Sequence, residues 1–371
     1  MSQRLAYLDW NATAPVRPEV RAAMAEALAY AGNPSSVHRF GRQAKRALEQ
    51  ARARIARLVN AAPADIVFTS GGTEANHLAL RGFPGRRAIV SAIEHDSVRG
   101  AAADGIIVPA CPDGTIALDA LEHALAAESR PALVSLMLAN NETGVVQPVA
   151  DARRVAHAHG ALLHCDAIQA AGKIAVDAAA LGADLLSLSA HKIGGPMGVG
   201  ALVVASGLPL HPLQTGGGQE RGRRAGTENL PGIVGFGVAA AIAAEAMSDC
   251  RQIAALRDLA EARLLALAPD AQILGVEAPR LPNTICIAMP GVPAATQVMA
   301  LDLSGVMVSA GAACSSGKVR RSHVLEAMGV PREEAGGAIR ISLGWTTSEE
   351  DIDQLVAAWG SLYARTRMNA A

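Results

Sequence analysis

The chain runs to 371 residues, half of them hydrophobic and 18% charged, with 33 Lys plus Arg set against 34 Asp plus Glu. Such a composition describes a folded globular protein rather than a disordered chain, and the balanced charge supplies no global field for nucleic acid or an anionic membrane. The five cysteines form no CxxC pair, which speaks against a disulfide framework and a zinc ribbon, so no metal site is expected.

The opening segment, MSQRLAYLDWNATAP, lacks the apolar run of a signal peptide, and no later segment approaches the roughly 18 uninterrupted apolar residues of a membrane span. A cytoplasmic protein is the expectation. From Arg17 to Asn60 apolar residues recur at helical spacing, which predicts two amphipathic helices joined by the turn AGNPSS. Short apolar runs then alternate with helical stretches: IVFTS, RAIVS, GIIVPA, ALVSLML, ALLHC, DLLSLS and GALVVA. That alternation predicts crossover units on a largely parallel sheet with helices on both faces. After Gly216 come a loop rich in glycine and arginine and two Ala-rich helices ending near Pro269. From Leu281 the strands TICIAM, VMVSAG and AIRISLG alternate with helices near 294–303, 322–328 and 348–364. So long a chain divides into two cores. A large domain over 15–250 and a small α/β domain built from 1–14 and 251–371 are expected, the strand around Tyr7 to Asp9 joining the latter.

Ligands of open parallel sheets sit outside the carboxyl ends of the strands, so polar residues just after the apolar runs are the candidates. Ser70-Gly71-Gly72-Thr73-Glu74 follows the first run and opens a helix at about Thr73. Its free N–H groups suit a phosphate, and a plain turn with Thr73 as helix cap is the alternative. His95 could stack on a planar ring, or be an ordinary surface or core histidine. The pair Asn140-Asn141 fits a turn. Asp166 follows ALLHC, where a buried carboxylate needs a cation, and a protonated pyridine nitrogen would serve. Gln169, on the expected first turn of the next helix, could reach a neighbouring phenolic oxygen; Asp166 capping that helix is the alternative. Lys192 ends SLSAHK before Gly194-Gly195-Pro196, and desolvation there would activate its amine for Schiff-base chemistry, a structural salt bridge being the alternative. Together these are the parts that a pyridoxal 5'-phosphate site requires.

The motifs LDWNATAP, GNPSSVHRFG, FTSGGTEAN, SAIEH, NNETGVVQP, HCDAIQAAGK, SLSAHKIGGPMGVGAL, GGGQERGRRAGTEN, SAGAACSSG and IRISLG occur in order. The chain resembles the NifS and IscS-like cysteine desulfurases, within the class-V aminotransferases of fold type I. The resemblance implies pyridoxal phosphate on Lys192, Asp166 at the pyridine nitrogen, Gln169 at the ring hydroxyl and His95 stacked on the ring. Gly72, Thr73, Ser189 and His191 would hold the phosphate. Thr227 would reach the phosphate of a neighbouring subunit, which implies a homodimer. Asn141 and Arg340 would bind the carboxylate of L-cysteine. Cys314, in a run of small residues, would be the nucleophile that takes the sulfur as a persulfide and passes it to an acceptor such as an iron–sulfur assembly protein. Lys318, Arg320 and Arg321 beyond it would favour the thiolate or dock an acidic acceptor, or form an ordinary solvated face. His323 reads as a helix-start residue. Selenocysteine lyase or an aminotransferase of the same fold is the alternative reading, and a docking scaffold without catalysis is a third.

Overall fold

The computed structural model describes residues 4–311 and 321–370, so Cys314, Lys318 and Arg320 lie outside the described residues. A short strand, β1 (Ala6–Tyr7), leads to the helices Pro18–Leu28 and Arg39–Leu58. Proline opens the first, where its missing N–H leaves nothing unpaired. In the second, Ala44, Leu48, Ala51 and Ile55 recur every three or four positions and bury one stripe.

The seven apolar runs become β2 (Ile66–Thr69), β3 (Arg87–Ser91), β4 (Ile106–Val108), β5 (Ala132–Met137), β6 (Leu162–Asp166), β7 (Leu185–Ser189) and β8 (Gly200–Val204). They form one sheet in the order β2-β8-β7-β6-β5-β3-β4. Only β8 runs against its neighbours, β2 and β7. Two antiparallel steps restore direction, so the carboxyl ends of β2, β3, β5, β6 and β7 gather at one edge. Residues of β5, β7 and β8 are buried throughout, which is why these strands read as unbroken apolar runs. Leu48, Ile55 and Phe236 cover one face together with Phe68 and Val134; Leu78 and Val98 cover the other with Val67 and Leu133.

The stretch from Leu230 to Leu267 qualifies the expectation about apolar segments: it contains an 18-residue window of mean hydropathy 1.7. Half of that window is buried, and its first helix, Leu230–Glu245, packs against both N-terminal helices. Gly237 permits this approach, because a Cβ there would lie 2.6 Å from the Ala51 Cα. An all-round apolar helix is what a buried position requires.

The remaining strands are β9 (Gln272–Ile273), β10 (Thr284–Ala288), β11 (Val306–Met307), β12 (Ser309–Ala310) and β13 (Ala338–Ser342). VMVSAG therefore gives two short strands instead of one. The order β12-β13-β10-β9 is antiparallel, while β1 pairs in parallel with β11 and Asp9 bridges to Ser342. Leu8, Ile285, Ile287, Ile339, Ile341 and Trp359 fill a second core between this sheet and the helices Ala294–Leu303 and Glu349–Ala370.

Candidate active site

Five strand ends and the loop after β1 enclose a cleft of about 470 Å³. Its lining includes Gly72, Thr73, His95, Asn141, Asp166, Gln169, Ser189, His191, Lys192 and Arg340. Ten of the twelve residues singled out in the sequence thus share one space, although the first and last of them, Gly72 and Arg340, lie 268 positions apart.

Lys192 closes a single 3-10 turn, Ala190–Lys192, directly after β7. Its Nζ donates to the carbonyls of Asn11 at 2.7 Å and Ala12 at 2.9 Å. Burial, reinforced by the Arg340 charge, lowers the amine to about 8, against the pull of Asp166 and Asp9. A lysine in that condition is partly neutral near physiological pH and nucleophilic.

Asp166 ends β6 and is buried. Its Oδ1 accepts from Ile168 N at 3.0 Å and its Oδ2 from Asn76 Nδ2 at 2.8 Å. Burial pushes the carboxyl up, while those two bonds and the charges of His95 and Lys192 draw it down. Residues 168–173 form turns and not a helix, so Asp166 is no helix cap and Gln169 sits on a turn. Gln169 Nε2 donates to the Asn11 carbonyl at 2.9 Å.

His95 has a local role that the strand-end rule did not show. It caps the helix Asp96–Ala101, its Nδ1 accepting from Ser97 N at 3.1 Å, while the ring borders the cleft. Since the Ser97 amide only donates, Nδ1 is the accepting nitrogen and the ring proton lies on Nε2. At the other end of the cleft, the helix Gly72–Arg81 begins one residue earlier than expected and Gly71 takes the cap position. Thr73 therefore lies in the first turn rather than capping it. Gly72, Thr73, Ser189 and His191 line one corner together. His191 is lowered to about 4, by burial first and then by Lys192 and Lys173, and so is neutral.

Arg340 projects from β13 across the cleft. Its Nη2 donates to Asp9 Oδ1 at 2.7 Å and its Nη1 to the Asn141 carbonyl at 3.1 Å, while its Nε is buried without a partner among the described residues. Thr227 is exposed and does not line this cleft of its own chain. Arg321 borders a separate groove with Glu326 and Arg332. His323 starts the helix His323–Ala327, as expected, and its Nε2 lies 2.9 Å from the Glu94 carbonyl. Burial pushes the Cys165 thiol well up and that of Cys286 to about 12, so neither is a nucleophile. The described residues include no group of three or more potential metal ligands.

Sequence reasoning missed Asn11, Asn76, Lys173 and Glu94. Glu94 is fully buried, accepts from Met137 N at 2.6 Å, and is pushed well above the carboxylate range by burial and by Asp166. Asn76 carried a readable signal: an asparagine on the buried stripe of a helix is a poor helix former and needs a polar partner.

The model of the aminotransferase class-V family matches residues 6–355. A cysteine desulfurase of Cereibacter sphaeroides is 48% identical over 364 residues, covering 94% of this chain and 93% of that protein. The structure of a NifS-like protein from Rickettsia africae superposes with a TM-score of 0.91 at 36% identity, covering 97% of this chain and all of that one. A structure described as SspA in complex with cysteine gives a TM-score of 0.79 at 31% identity, covering 91% of this chain and 98% of that one.

Proposed function

The chain belongs to the aminotransferase class-V family, and from that premise we propose that it is a NifS and IscS-like cysteine desulfurase, which converts L-cysteine to L-alanine and receives the sulfur as a persulfide on Cys314. The observation that carries this reading is the Lys192 amine in a cleft walled by buried Asp166 on one side and by Arg340 and Asn141 on another.

The donor set suits pyridoxal 5'-phosphate. Among the described residues Asp166 is hydrogen-bonded by neutral groups alone, Ile168 N and Asn76 Nδ2, so a protonated ring nitrogen would match its charge. Lys192 would hold the cofactor through Nζ, Gln169 Nε2 would donate to the ring oxygen, and His95 would cover the ring. Gly72, Thr73, Ser189 and His191 offer amides, hydroxyls and a helix start to the phosphate, and Thr227 of a second copy would complete that end in a homodimer. When bound, the cofactor supplies an electron sink that weakens bonds at the substrate Cα and Cβ.

The chain's own residues do the rest. Arg340 and Asn141 anchor the substrate carboxylate, the guanidinium exchanging its Asp9 partner for a second carboxylate of the same geometry. Lys192 Nζ is the group placed to take a proton above the ring, and the Lys192 amine or the His95 Nε2–H is placed to return one. The Cys314 thiolate then attacks the substrate sulfur: an S–S bond forms as the Cβ–S bond breaks, and the electron pair left on carbon takes up protons to give alanine. An iron–sulfur assembly protein is the acceptor class we favour. The four described cysteines are free, as a cytoplasmic enzyme requires.

Incubation with L-cysteine should yield alanine together with a Cys314 persulfide detectable by mass spectrometry, and Cys314→Ala should abolish sulfide release. Alanine formed without any persulfide at that position, or borohydride reduction leaving no adduct on Lys192, would overturn the reading.

A further inference from the structure

A second lysine stands just behind the cleft wall. Lys173 Nζ donates to Gln169 Oε1 at 2.6 Å and to Asn11 Oδ1 at 2.9 Å. Asn11 is the shared support: its backbone carbonyl receives both Gln169 Nε2 at 2.9 Å and Lys192 Nζ at 2.7 Å. Its side chain is fixed as well, with Nδ2 donating to Thr284 Oγ1 at 2.9 Å. A backbone carbonyl only accepts, so the nitrogen of the Gln169 amide must face Asn11 and its oxygen must face Lys173. One N–H of Gln169 then remains, and Gln169 lines the cleft. Lys173 borders the small cavity behind Lys192, of about 50 Å³, beside Trp10 and Trp345.

We propose that Lys173 is a positioning residue: through Gln169 and Asn11 it presents an N–H donor to the ring oxygen of the cofactor and steadies the carbonyl that orients Lys192. This rests on the pyridoxal phosphate reading given above. Without Lys173, Gln169 Oε1 and Asn11 Oδ1 lose a buried donor, and the amide is free to turn. A donor on the ring oxygen stabilises its anionic form and lowers the proton affinity of the bound chromophore. That effect vanishes on substitution.

The test is the pH midpoint at which the visible absorbance of the bound cofactor changes, measured on the loaded protein without substrate. Lys173→Met keeps the length of the side chain and removes every donor. Its midpoint should rise by about one pH unit, a tenfold change in proton affinity. Lys173→Gln, which retains an N–H donor, should fall between it and the native protein. A midpoint in Lys173→Met equal to that of the native protein overturns the proposal, as does a Lys173→Gln shift equal to that of Lys173→Met. If Lys173→Met does not hold the cofactor, Lys173→Gln alone decides: a rise supports the proposal and a native midpoint overturns it. Failure of the native protein to show a visible band or a Lys192 adduct would sink the cofactor reading itself, whereas a native band with unshifted variants removes only the role of Lys173.

Discussion

Glu142 shows how a single buried side chain links two parts of this molecule. It follows Asn141, and its Oε2 accepts from Ser322 Oγ at 2.6 Å, while a Cβ on Gly311 would lie 3.0 Å from the same oxygen. Burial raises its carboxyl to about 7, opposed by the Ser322 hydrogen bond and the Arg340 charge. A raised acid binds its proton more tightly in the folded state. Its contribution to stability is therefore complete below the unfolded value near 4.5 and declines as the pH climbs toward 7. Glu142→Gln removes that titration. The stability difference between native protein and variant should shift by up to about 3 kcal/mol between pH 4.5 and 8, the native protein losing more. Urea midpoints at several pH values measure this, and parallel curves would contradict it. The other buried carboxyls titrate in both proteins and cancel in the comparison.

At the scale of elements, the corner of the cleft at Gly72 and Thr73, the proposed seat of the cofactor phosphate, depends on a close approach between β8 and the loop before the helix Gly72–Arg81. Gly200 pairs with both Thr69 and Ser189, and a Cβ on it would lie 2.6 Å from the Gly71 carbonyl carbon. Backbone cannot rotate aside as a side chain can, so Gly200→Ala must displace the loop. We expect a loss of about 1–3 kcal/mol in stability, the range for overpacking. Weaker pyridoxal phosphate binding by titration should accompany it; a variant unchanged in both would show that the loop is not constrained. His164 illustrates the opposite case, a histidine beside the site with no part in it. It is fully buried between Ser135 Oγ at 2.8 Å and Ser187 Oγ at 2.9 Å, and burial lowers it to about 3, so it stays neutral and stitches three adjacent strands.

For the whole molecule, a buried ion pair ties the helix Arg39–Leu58, the edge strand β2 and the loop that carries Thr227. Arg52 donates to both carboxylate oxygens of Glu220 at 2.8 and 2.7 Å, and Glu220 also accepts from Phe68 N at 2.9 Å. Glu220 adopts a left-handed φ of 46° to reach inward. Arg52 Nε keeps Glu49 Oε2 at 3.1 Å, so Glu220→Ala should destabilise the protein by less than the roughly 3–5 kcal/mol of a fully stranded buried charge, and the double variant Arg52→Met/Glu220→Leu should recover much of that in thermal unfolding. A single variant as stable as the native protein would show that solvent reaches the guanidinium. Strand β9 and the split of VMVSAG into two strands were not legible in the sequence, whereas the seven apolar runs of the large sheet and the candidates just after them were. Each follows from local periodicity and from the rule that parallel strands aim their carboxyl ends at the ligand. Only the tertiary structure decided that β8 runs in reverse, that Asn76 supports Asp166 from 90 positions away, and that Asn11 receives the Lys192 amine across 181. Those contacts exist because two separately packed cores bring distant backbone together, and periodicity within one segment holds no information about which carbonyl another segment will meet.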